Sequence, residues 1–135
     1  MSARIVICDD SPVILKPIEF KLKGAGFEVF AADDGEQGWN FVLRYNPDLV
    51  ITDLQMPRMD GLDLTRRIRE SPEHCDLPVV LLTAKGFELD CDQRFQPADF
   101  SAIIRKPFSP REVLACVEST LAARMRALSD TVSLA

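Results

Sequence analysis

Five short apolar runs recur along this 135-residue chain with helix-spaced segments between them, and no other feature narrows its possible architecture as much. The runs are Arg4–Cys8, Phe27–Ala31, Asp48–Thr52, Pro78–Thr83 and Ser101–Arg105, each closed by polar, Gly or Pro residues. Most are rich in Val and Ile without polar alternation, as in strands covered on both faces. Between them, Ile14, Ile18, Leu22 and Ala25 form a stripe at helical spacing, as do Trp39, Val42 and Leu43, then Leu64 and Ile68, then Leu114, Val117 and Leu121. Five strands alternating with five helices predict an α/β domain with a parallel sheet and right-handed crossovers. The length suits one domain, and 47% hydrophobic residues can furnish its core without disulfide or metal staples.

Local signals refine this outline. Ser109-Pro110-Arg111-Glu112 reads as a helix start, with a serine cap, proline at the first position and a capping-box glutamate. Ser11-Pro12 is a weaker version. Pro17 falls inside the first helix, where it removes a hydrogen bond at a cost of about 3 kcal/mol unless the helix bends, so a kink is expected. Gly86–Pro97 has few apolar residues in register and reads about equally as a helix or an irregular connection. The domain is expected over residues 3–124. Residues 125–135 form a tail that loses periodicity, expected to fray from about Ala127 or to begin a linker.

Composition excludes several functions. No apolar run approaches bilayer length, and Met1-Ser2-Ala3-Arg4 opens without a signal-peptide layout, so no membrane role and a cytoplasmic location are expected. Sixteen Lys+Arg against twenty-one Asp+Glu give a net charge of −5, which disfavours direct nucleic-acid binding. The four cysteines are scattered, and His74 is the sole histidine. A metal cage is therefore not indicated; Cys8 and Cys116 are expected to be buried as small hydrophobes, and His74-Cys75 to be ordinary loop residues.

The residues that carry chemistry lie just past strand ends: Asp9 and Asp10 after the first, Asp53 at the third, Thr83 at the fourth, Lys106 after the fifth. In a parallel sheet these ends share one edge, where ligands of open α/β sheets bind. Two carboxylates about 4 Å apart near a protein surface repel by about 4 kcal/mol at an effective dielectric of ~20. One lysine cannot offset three of them. A hard divalent cation with oxygen ligands and retained waters, Mg²⁺, resolves the crowding. Asp53 could then act as a nucleophile, with the cation, Lys106 and the Thr83 hydroxyl holding phosphoryl oxygens.

Asp9-Asp10-Ser11, the stretch Asp53-Leu54-Gln55-Met56-Pro57-Arg58-Met59-Asp60-Gly61, Thr83-Ala84 and Lys106-Pro107-Phe108 together resemble the receiver domain of bacterial two-component response regulators. The resemblance implies a flavodoxin-like, doubly wound five-stranded sheet of order 2-1-3-4-5. It implies Asp53 as phosphoacceptor, taking a phosphoryl group from a sensor histidine kinase or a His phosphotransfer protein. Asp10, Asp53 and the backbone carbonyl of Gln55 would ligate Mg²⁺ (or Mn²⁺), with Asp9 in the outer shell. Thr83, Ala84 and Lys106 would hold the phosphoryl group, Thr83 moving as the switch, and Lys106-Pro107 would be a cis peptide. The chain would modify only itself, acting as a stand-alone receiver or relay, monomeric or weakly dimeric, towards a downstream protein the sequence does not name. One departure concerns Ile103, where most relatives carry Tyr or Phe. A β-branched aliphatic has no ring to swing, so an altered switch is expected.

Simpler readings compete. Asp9 and Asp10 could cap the first helix, although Ser11 is placed for that. Thr83 could be an ordinary β-branched strand end, Lys106 a solvated lysine, Asp60 and Asp63 capping or solvated residues, and Trp39 core or rim. Two other functions remain open: an aspartyl-phosphate small-molecule phosphatase, and a degenerate receiver used for dimerisation. The first commonly places a second aspartate two residues after the nucleophile, where this chain has Gln55.

Overall fold

The computed structural model describes residues 2–84 and 87–134. Its elements in chain order are β1 (Arg4–Cys8), α1 (Pro12–Gly24), β2 (Glu28–Ala32), α2 (Gly35–Tyr45), β3 (Leu49–Asp53), α3 (Gly61–Glu70), β4 (Val79–Thr83), α4 (Phe87–Asp90), β5 (Ala102–Arg105) and α5 (Pro110–Leu134), with a 3-10 turn at Pro97–Asp99. The strands form one parallel sheet in the order β2-β1-β3-β4-β5. All five expected strands are present within a residue or two of the expected limits.

The apolar runs of β1, β3 and β4 are continuous because the central sheet is buried on both faces. Ile5 and Ile7 of β1, with Leu49 and Ile51 of β3, pack with Ile18 and Leu22 of α1 and Val113 and Val117 of α5. Their neighbours Val6, Cys8 and Val50 pack on the other face with Val42 of α2 and Leu64 and Ile68 of α3. The period-2 side-chain alternation thus feeds two cores. A third, smaller cluster joins Leu54, Leu62, Leu81 and Leu89, with Phe95 and Phe100 against it.

The helical stripes need adjustment. Ile18 and Leu22 are buried while Ala25 is exposed, and Leu43 lies off the buried face of α2. Cys8 is buried as expected, but Cys116 is only half-buried; all four cysteines are free. Ser11 stands at the N-cap of α1 yet its side chain makes no capping bond. Instead the Ser11 N–H donates to Asp9 Oδ1 at 2.9 Å. Ser109 does cap α5, its Oγ accepting from Glu112 N at 3.2 Å. α1 runs through Pro17 without ending there.

The uncertain stretch proves mostly irregular: α4 is a single turn of four residues, followed by turns up to the 3-10 element. Gly86, its first residue, lies outside the described residues. The expected fraying of the tail is not found, because α5 continues as helix to Leu134. Residues 122–128 are mostly Ala, Arg, Met and Leu, strong helix formers. Apolar periodicity reports what a helix packs against, not whether it is a helix, and here the helix outruns the sheet.

Candidate functional site

Sheet register builds the site. Cys8 pairs with Thr52, so Asp9 and Asp53 follow at the same level of adjacent strands. β3 and β1 sit at the centre of the sheet, where the strand order changes direction, the position from which open α/β sheets present ligands. Asp10 lies beside them on the loop into α1. One carboxylate oxygen from each of Asp9, Asp10 and Asp53 falls within 4.8 Å of the others. Asp9 is 1% exposed and Asp53 7%, whereas Asp10 faces solvent.

Lys106 closes the cluster from β5. Its Nζ lies 2.7 Å from Asp53 Oδ1 and 3.8 Å from Asp9 Oδ2. The Lys106-Pro107 peptide is cis. Asp53 Oδ2 accepts from the Gln55 N–H at 3.2 Å, so both carboxylate oxygens of Asp53 are oriented, one by a cation and one by a backbone amide. Thr83 is buried at the end of β4, level with Arg105, one residue before Lys106. Ala84 follows it and is exposed.

Electrostatics single out Asp9. Its Oδ2 is buried and makes no hydrogen bond. Burial raises its pKa to about 6, repulsion from Asp53 and Asp10 adds to the rise, and the Ser11 N–H and Lys106 oppose it. A buried carboxylate oxygen with no hydrogen bond, only a 3.8 Å ion pair to Lys106, beside two further carboxylates is costly as it stands, and a divalent cation with oxygen ligands fits that donor set. Cys8, directly beneath, has its thiol pKa pushed up by burial and then by Asp34 and Asp9, so it is inert.

The sequence did not point to three arginines that brace the surrounding loops. Arg58, at φ 67°, bonds the buried Asp34 at 2.7 Å, tying the β3–α3 loop to the N-cap of α2. Arg69 donates to the carbonyls of Cys75, Leu77 and Asp99. Arg94 joins Asp92, Asp60 and Asp63. The only local hint was Asp60 before Gly61, which does cap α3 by accepting from Asp63 N at 2.9 Å. His74 is a structural residue, hydrogen-bonded to Ser71 and edge-on to Trp39. Ile103 points outward from β5, 37% exposed, opposite Leu81 in register. Among the described residues no helix is long and apolar enough to cross a membrane.

The five-stranded parallel sheet thus carries an acidic trio and a lysine at its central carboxyl edge. The chain matches the response regulator receiver domain over residues 5–118 and belongs to that family. Solved structures agree. A protein described as a response regulator from Chloroflexus aurantiacus is 32% identical, with a TM-score of 0.81 covering 90% of this chain and 99% of its own. The chemotaxis response regulator of Vibrio cholerae is 25% identical, with a TM-score of 0.80 covering 89% and 99%. The receiver domain of a sensor histidine kinase from Pseudomonas aeruginosa is 26% identical, with a TM-score of 0.78 covering 90% and 99%, and holds a magnesium ion in its active-site cleft.

Proposed function

We propose that Asp53 is the phosphoacceptor of this receiver domain and that its modification switches a partner-binding surface. The observation that carries the reading is the contact of Lys106 Nζ with Asp53 Oδ1 at 2.7 Å inside an otherwise acidic cluster. A carboxylate is a weak nucleophile unless it is held in position and its charge is balanced where new charge arrives.

In the proposed step an Asp53 oxygen attacks the phosphorus of a phosphohistidine on a sensor kinase or phosphotransfer protein. The new P–O bond forms as the P–N bond breaks, and the imidazole nitrogen leaves with the electron pair and takes up a proton. The Gln55 N–H orients the carboxylate, and Lys106 neutralises phosphoryl charge. The Thr83 hydroxyl and Ala84 backbone, at the end of the neighbouring strand, would engage the new group. Asp10, Asp53 and the Gln55 carbonyl would hold Mg²⁺, with Asp9 reaching it through water; Mn²⁺ would suit the same oxygen donors. When bound, the cation supplies positive charge beside the phosphoryl oxygens. The chain thereby changes only its own state and turns over no external substrate.

A phosphohistidine must reach Asp53 from solvent, and α1 begins two residues past Asp10. That helix exposes Val13 (80%) and Phe20 (82%) on one face with Lys16 between them, an apolar surface suited to a helical partner protein. A cytoplasmic setting matches such partners. We take residues 3–124 as the domain proper; residues 125–134 continue α5 beyond it. Ile103, lacking a ring, implies that the switch is read without an aromatic at that place.

The test uses acetyl phosphate with Mg²⁺ and intact-mass detection. The wild-type chain should gain one phosphoryl group and Asp53→Asn none. Equal labelling of both, or none of a folded wild type, overturns the proposal; release of phosphate from small substrates without an Asp53 adduct would favour the phosphatase reading.

A further inference from the structure

Residues 91–96 lead from the α4 turn towards the 3-10 turn, and Arg94 connects this stretch to α3 by an unusual concentration of charge. Its Nη1 donates to Asp60 Oδ2 at 2.9 Å and to Asp63 Oδ1 at 3.1 Å. Its Nη2 and Nε donate to the two oxygens of Asp92 at 2.9 and 3.2 Å. Asp60 and Asp63 belong to the N-cap and first turn of α3. Asp92 shapes the segment itself, accepting from the Arg94 N–H at 2.9 Å, while its carbonyl accepts from Phe95 N at 3.1 Å. One guanidinium thus serves three carboxylates on two separate parts of the chain, and those hydrogen bonds raise its pKa further.

What lies beneath is small. Leu54, Leu62, Leu81 and Leu89 form the third cluster, with Phe95 and Phe100 packed on it, their rings 5.8 Å apart. Satellite clusters under long connections open at lower free energy than central cores. Leu54 directly follows Asp53, and its carbonyl accepts from Gly61 N at 2.8 Å, beside Asp60. The N-terminus of α3 rests on the backbone of Asp53 itself, where a Cβ on Gly61 would collide with the Asp53 carbonyl. A shift at Asp53 therefore reaches Asp60 through one residue and one hydrogen bond.

We propose that Arg94 is a releasable ionic strap that holds residues 91–96 on the N-terminus of α3, so that the state of Asp53 sets how readily this segment opens. The strap itself stands without the phosphoacceptor reading; its link to Asp53 rests on that reading. It would give the chain a route from Asp53 to the surface that needs no aromatic at position 103.

Amide hydrogen exchange at Asp92, Arg94 and Phe95 tests it, comparing wild type with Arg94→Gln and Arg94→Lys. Arg94→Gln should speed exchange there about three- to tenfold at low salt, leaving β1 and β3 amides unchanged. Salt should speed the wild type and barely affect Arg94→Gln, with Arg94→Lys between them. Equal rates in wild type and Arg94→Gln, or an increase spread over the whole chain, overturn the strap. With beryllofluoride and Mg²⁺, the same amides should change in wild type and change less in Arg94→Gln. A mimic that binds, by fluorine NMR, without moving them in wild type overturns the link. A mimic that does not bind counts against the phosphoacceptor reading, and the strap is then decided by the exchange comparison.

Discussion

Replacing Asp9 with Asn measures what the acidic cluster costs the metal-free fold. Asp9 is 1% exposed, and burial followed by repulsion from its acidic neighbours lifts its pKa from an ordinary 3.8 to about 6. At 1.36 kcal/mol per unit, a rise of about 2 units means that ionised Asp9 opposes folding by about 3 kcal/mol. The sign follows from proton binding. The folded state holds the Asp9 proton more tightly than the unfolded chain, so the penalty is absent below about pH 3.8, grows as pH rises, and is complete above about pH 6. Asn keeps an oxygen for the Ser11 N–H and carries no charge. With a chelator present, Asp9→Asn should therefore be about 1–3 kcal/mol more stable than wild type near pH 7.5, a rise of several degrees in Tm, and the gap should narrow near pH 5. Mg²⁺ should stabilise wild type strongly and the variant weakly. Urea and thermal melts at the two pH values decide the matter. A variant less stable than wild type by 1 kcal/mol or more, or a gap indifferent to pH, would refute the claim that burial and crowding govern this carboxylate.

Two further substitutions probe the scaffold. Arg69→Met keeps the apolar stem but strips the donors from the carbonyls of Cys75, Leu77 and Asp99, and urea melts should show a loss of roughly 2–3 kcal/mol; a loss under about 0.5 kcal/mol would mean that water replaces it freely. Gly61→Ala forces α3 away from the Asp53 carbonyl, so it should cost roughly 1–3 kcal/mol in stability and also lower phosphoryl uptake from acetyl phosphate. Unchanged uptake would show that the α3 terminus does not position Asp53.

Much of this protein is legible in its sequence. The strands were readable because a sheet buried on both faces demands continuous apolar runs, and the chain supplies five. The residues of the acidic edge were readable because each stands immediately past one of those runs. Where pattern and structure differ, the pattern reports something else. The end of apolar periodicity after Leu121 marks where α5 leaves the sheet, not where its backbone stops being helical. Leu43 had helical spacing but lies on the solvent side of α2, since spacing alone does not say which face is covered.

Composition and order of residues, then, determined the α/β class, the strand boundaries and the set of polar groups that share one edge. Tertiary structure alone decided that Cys8 meets Thr52 in register, that Lys106 chooses Asp53 over Asp9 as its nearer partner, and that Asp9 Oδ2 is left buried without a hydrogen bond. It also decided the arginine braces, because Arg58, Arg69 and Arg94 reach partners 24, 30 and 34 residues away in the chain. Local patterns report what a residue's neighbours in sequence require. A charge that meets its partner only after a helix and a strand have intervened leaves no local mark.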